Sequence, residues 1–225
     1  MSFADKKLSE IAISVPGSTA LLREYDLDFC CGGADTLGTA VAEKNLNLAE
    51  IEMRLTELQN SKKQDDEQRW LTAPYSDIIE HIIHRYHERH KQQLSELFVL
   101  AERVESVHGD RDDCPIGVAA EIQNIYADLS NHMMKEEQIL FPMIKMGNYA
   151  MARMPIQVME HEHAEHGDHL EVLKSLTNNL TPPADACNTW RALYSGIQEF
   201  MDDLMMHIHT ENNILFPRVI EEGSR

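Results

Sequence analysis

The chain has 225 residues, 43% of them apolar, and its 38 acidic against 20 basic side chains give a formal charge of −18. That length and apolar share suffice for a packed core, while the acidic surplus argues against nucleic acid or an anionic membrane as partner, since both repel such a surface. No run of about 18 uncharged apolar residues is seen and the opening MSFADKKLSE is polar, so a cytoplasmic protein without a membrane span is expected.

From Leu8 to about Leu58, short helical pieces are broken by VPGS, CCGGADT and NLN, which marks residues 1–59 as a small helical N-terminal domain. Residues 60–73, with the wholly polar NSKKQDDEQR, read as a linker. Beyond Pro74 long apolar-periodic runs follow at roughly 75–107, 117–145, 151–179 and 183–221, parted by short polar connections. Residues 74–225 are therefore expected to form an up-down-up-down four-helix bundle, and the whole chain is all-α. The four cysteines (Cys30, Cys31, Cys114, Cys187) show no CxxC pair, so neither structural zinc nor a disulfide framework is indicated.

HMMKEEQILFP at 132–142 and HIHTENNILFP at 207–217 repeat a histidine, a glutamate four residues on, and Ile-Leu-Phe-Pro. On a helix His132 stands over Glu136 and His207 over Glu211, an imidazole and a carboxylate on one face. The repeat extends further: IIHRYHERHKQQL (82–94) aligns with VMEHEHAEHGDHL (158–170), matching His87 with His163 and His90 with His166. A duplicated helical hairpin would supply four histidines and two glutamates to one core site. His84, His87 and His90 all remain candidates on the first helix. Mixed imidazole and carboxylate ligation without thiolate suits iron or manganese. Two ions sharing both carboxylates would need only a bridging oxo or hydroxo group to become five-coordinate, with a position open on each. His81, His108 and His209 read as solvent or cap histidines, and the methionines of HMMK and FMDDLMMH as core filler. Ferritin-like sites need ExxH on two helices with further glutamates. Here ExxH occurs only at Glu160–His163 and, near a helix end, Glu105–His108, so that pattern fails.

The spacing resembles the hemerythrin-like bundles, whose oxygen carriers run His, HxxxE, HxxxH and HxxxxD along four helices. Two departures, Gly167 four residues after His163 and HxxxE in the last helix with Asn212 at the fifth place, leave a more open, more symmetric site and argue against a dioxygen carrier. With SVPGSTALLREYDLDFCCGGADTL at the start and HMMKEEQILFPMIK and ENNILFP in the bundle, the chain resembles the bacterial iron–sulfur cluster repair proteins of the "repair of iron centres", or YtfE/ScdA, type.

That resemblance implies a non-haem di-iron protein that restores iron–sulfur clusters after nitrosative or oxidative damage. It places the metal ligands at His87, His132, Glu136, His163, His207 and Glu211. Supply of iron to damaged iron–sulfur proteins or a cluster scaffold is expected rather than enzymatic turnover. A di-iron nitric oxide reductase and a dioxygen or iron sensor are the alternatives, nitric oxide is a candidate ligand, and a homodimer is left open. Asp128, one turn before His132, and Glu162, beside His163, are candidates to line an approach to the metals or to orient an imidazole. Cys30 and Cys31 are expected as free thiols on an exposed turn. Asp35 or Thr36 would cap the following helix, whose N-terminus favours a thiolate suited to thiol exchange or to passing iron or nitric oxide.

Overall fold

The computed structural model describes residues 2–61 and 66–224. Four short helices come first: α1 (Leu8–Ser14), α2 (Ser18–Glu24), α3 (Leu37–Glu43) and α4 (Leu48–Asn60). Thr36 caps α3 by accepting from the Thr39 N–H, and Asn47 caps α4 by accepting from that of Glu50, so each start follows its side-chain chemistry. Residues 62–65 of the expected linker lie outside the described residues. The rest of it is not loose chain: Asp66–Leu71 forms a 3₁₀ turn, and Arg218 donates to the carbonyls of Trp70 and Ala73.

The bundle has four long helices, three of them interrupted once. Helix α5 runs through Tyr75–His81, a π turn Ile82–His87 and Glu88–His108. Helix α6 runs through Val118–Lys135, a π turn Glu136–Leu140 and Phe141–Lys145. Helix α7 is Tyr149–Leu176, and α8 runs through Asn188–His209, a π turn Thr210–Leu215 and Phe216–Glu222. Short connections make successive helices antiparallel, and α5–α6, α6–α7, α7–α8 and α8–α5 are the contacting pairs of a closed ring. The last helix begins at Asn188 rather than near 183, because Asn178, Asn179 and Leu180 are left-handed and end α7 in a wide turn. Among the described residues there is no strand, and no helix is long and apolar enough to cross a membrane.

The interior is apolar at both ends and polar in the middle. One cluster, at the end where α6 connects to α7, holds Ile78, Ile82, Phe141, Ile156 and Phe216. The other joins bundle residues such as Leu129, Ile197 and Phe200 to Leu22, Phe29 and Leu55 of the N-terminal helices, so those helices share a core with the bundle. Met133 and Met201 fill this core, whereas Met134 is solvent-exposed and Met205 and Met206 are half-buried.

Candidate metal centre

The polar belt between the two apolar clusters is made of His87 (α5), His132 and Glu136 (α6), His163 (α7), and His207 and Glu211 (α8), all essentially inaccessible to solvent. They form two overlapping groups, His87–His207 and His132–His163, each completed by the same Glu136 and Glu211. Within the groups the Nε2 atoms approach each other to 3.2 Å (His87–His207) and 3.1 Å (His132–His163). Glu136 sets one oxygen 3.4 Å from His87 and the other 3.4 Å from His132. Glu211 does the same at 3.1 Å to His163 and 3.3 Å to His207. Each carboxylate thus gives one oxygen to each half.

The repeated sequence explains how the belt is built. Phe141 stacks on His87 and Phe216 on His163, so the phenylalanine of each Ile-Leu-Phe-Pro packs the imidazole of the helix before it. Each proline lacks the N–H for an α-helical bond and would clash one turn back. The wider π turn ahead of each removes that conflict and holds the glutamate at the belt. The residues that follow the two glutamates also match in role, since Glu137 accepts from His87 Nδ1 at 2.9 Å, and Asn212 Oδ1 from His163 Nδ1 at 2.8 Å. Asn212 is oriented by donating its amide to the Cys30 carbonyl. Sequence reading missed this pair, although its signal was present in the same repeat.

Glu162 does orient an imidazole, but that of His132 across the bundle, at 2.9 Å from Nδ1, and it is itself held by Lys135 at 2.5 Å. Asp128 is not at the site: it is exposed and meets only the outward His169 at 3.2 Å.

Of the three histidines expected as solvent or cap residues, His108 does end its helix, but His81 and His209 need correction. His209 is buried, edge-on to Phe29 and bonded to Asn213; His81 is half-buried and stacked on Trp70; His108 meets the Cys187 thiol at 3.2 Å. Phe29 and Trp190, the ring neighbours of His209 and His108, come from distant segments, which local polarity does not reveal.

Titration favours charge separation within the belt. Burial works against charge on His132, yet Glu136 and Glu211 with Glu162 raise it to about 9. His87 is likewise raised against burial, chiefly by Glu136. Burial opposes ionisation of Glu136, but His132 and His87 bring it to about 2. Burial and the neighbouring His87 push His207 well down.

The donors fit a cation. With Nδ1 of both His132 and His163 committed to acceptors, neutral rings present two Nε2 lone pairs to each other. All four oxygens of Glu136 and Glu211 are buried without a hydrogen bond. Two nitrogens each about 2.1 Å from one ion lie about 3 Å apart at a near-right angle, the separation found in both halves. Oxygen and imidazole donors without thiolate make this a metal site suited to iron.

The cysteines differ from expectation. Cys30 is buried, and hydrogen bonding to Cys31, burial and the charge of Asp28 push its thiol well up, so no helix terminus makes it a thiolate. Asp28 instead organises the turn by accepting from the N–H groups of Cys30, Cys31 and Gly32. Cys31 is half-buried, donates to the His163 carbonyl at 3.3 Å, and lines a cleft of about 820 Å³ with Asp28, Gly167 and Lys174. A Cβ at Gly167, where the carriers have histidine, would meet nothing within 4 Å.

Fold and belt define a hemerythrin-type cation-binding bundle, and residues 78–219 match the model of the hemerythrin HHE cation binding domain. Residues 4–59 match ScdA_N, a domain of unknown function (DUF542). The chain is 68% identical to the probable iron-sulfur cluster repair protein of Haemophilus influenzae over 99% of this chain and all of the relative. It is 56% identical to the iron-sulfur cluster repair protein YtfE of Musicola paradisiaca (98% of each chain), and 52% to that of Escherichia coli O81 (98% and 99%). The chain belongs to this family of hemerythrin-like iron-sulfur cluster repair proteins.

Proposed function

We propose that the protein holds two non-haem iron ions, with a bridging oxo or hydroxo group, and helps repair iron–sulfur clusters damaged by nitrosative or oxidative stress by supplying iron. The observation that carries this is the pairing of facing imidazole nitrogens in both halves with two carboxylates that each touch both halves. His87, His207, His132 and His163 would be the terminal ligands, and Glu136 and Glu211 the bridges. Bound iron supplies Lewis acidity and one-electron redox capacity. The chain's own residues do the rest: Glu137, Glu162 and Asn212 hold three rings with Nε2 inward, and the flanking apolar clusters keep bulk water out. The names of the relatives support the repair reading. Damaged iron–sulfur proteins or a cluster scaffold in the cytoplasm are the clients, nitric oxide is a ligand, and the small N-terminal domain (1–59) and bundle (74–225) act together.

The test is anaerobic mixing of the diferrous protein first with a cluster-free acceptor and then with nitric oxide. Transfer of iron to the acceptor is expected. Rapid N₂O formation at about half a mole per mole of nitric oxide, without transfer, would replace repair with nitric oxide reduction, and a stable nitrosyl without transfer would replace it with sensing.

A further inference from the structure

The halves of the belt differ in what stands behind them. His90 is fully buried, its ring centroid lies 5.3 Å from that of His207, and its Nε2 has no partner. Its tautomer follows from a chain of contacts. Arg85 holds Asp203 at 2.5 Å, and Asp203 accepts from the Gln93 amide nitrogen at 2.9 Å. Gln93 therefore turns its carbonyl oxygen to His90 Nδ1, at 3.3 Å. Only an N–H can meet a carbonyl oxygen, so Nδ1 carries the proton and Nε2 a bare lone pair. An unanswered buried acceptor is costly, which favours a donor reaching it.

The other half lacks this chain. His166, the repeat partner of His90, is also buried with an unpartnered Nε2, but the counterpart of Gln93 is His169, which bonds outward to Glu121 and Asp128. Resting on the dinuclear reading above, we propose that His90 is a positioning residue whose Nε2 accepts a hydrogen bond from a protic small ligand, water or hydroxide, taken up at the His87–His207 half. The same lone pair repels bare anions, so the two halves are inequivalent toward added ligands.

Two measurements test this. In long-range ¹H–¹⁵N spectra of the full-length chain loaded with zinc, which is diamagnetic, His90 should be protonated at Nδ1, and Gln93→Met should shift it toward the Nε2-protonated form. In the diferric protein, titrated with azide, His90→Leu and Gln93→Met should each tighten azide binding about tenfold at unchanged iron content, while His166→Leu changes it less than twofold. An Nε2-protonated His90 in the parent, or azide affinities unchanged in Gln93→Met at full iron content, overturns the assignment and leaves the metal centre standing. A chain that takes up neither zinc nor iron overturns both.

Discussion

Glu136 and Glu211 lie one turn beyond His132 and His207, and each reaches an imidazole on a second helix, so a single side chain spans both halves. Glu136→Ala and Glu211→Ala are expected to disturb both irons, whereas His132→Ala weakens mainly the His132–His163 half; iron counts and ligand-field spectra of the three variants read the difference. Glu162→Gln keeps shape but weakens the acceptor for His132, and a loss of about tenfold or more in metal affinity is expected by competition with a chelator. Without metal, protons are the available counter-charges. Since His132 is raised from 6.5 to about 9 in the folded protein, the stability it contributes is complete below about pH 6.5 and lost as pH rises through about 9. The thermal midpoint of the metal-free protein should therefore fall from pH 6.5 to 9.5. Iron loading should raise the midpoint at neutral pH and release protons, because the cation then neutralises Glu136 and Glu211. Equal midpoints with and without iron would count against the centre.

At the scale of elements, periodicity made the four bundle helices legible, and the doubled HxxxE made the belt legible, because both signals are local in the chain. The π turns were not legible: an α-helical pattern with one extra residue looks like the same pattern slightly out of phase, and only the prolines of the two Ile-Leu-Phe-Pro segments hint at them. Asp128 was misplaced for a related reason, since a one-turn offset does not say which way the helix face turns. The pairing of Glu162 with His132, and the burial of His209 by Phe29, arise between segments far apart in sequence. The CCGG turn shows the same limit: its glycines suggested exposure, yet Gly33 is required by crowding. A Cβ there would lie 2.6 Å from the Phe29 carbonyl oxygen and 2.9 Å from Ser9 Cβ. Gly33→Ala is expected to cost about 1–3 kcal/mol, seen as a lower urea midpoint, with iron content unchanged because the belt is untouched.

Across the whole molecule, the N-terminal helices are docked on the face of the bundle that carries His163 and Glu211. The carbonyls of Phe29 and Cys30 accept from Asn213 and Asn212, and Cys31 reaches the His163 carbonyl. The Cys30–Cys31 turn thus lies against the backbone of one metal-ligand helix while both sulfurs stay out of the six-residue belt. Both cysteines line the open cleft, but Cys30 is buried and held as a thiol whereas Cys31 is half-buried, so Cys31 is the better placed of the two to meet a client or a small reactive ligand. Changing both cysteines to serine is expected to leave two irons per chain and an unchanged ligand-field spectrum, since serine keeps the turn's N–H bonds to Asp28. Repair of damaged clusters in nitrosatively stressed cells should nevertheless fall. Full repair by the double variant would make the pair a filler of the turn, and loss of iron would mean that the turn, through Asn212 and His163, helps hold the metal in place. Single variants separate these outcomes further: Cys31→Ser alone should reproduce the repair defect, and Cys30→Ser should cost stability before it costs repair.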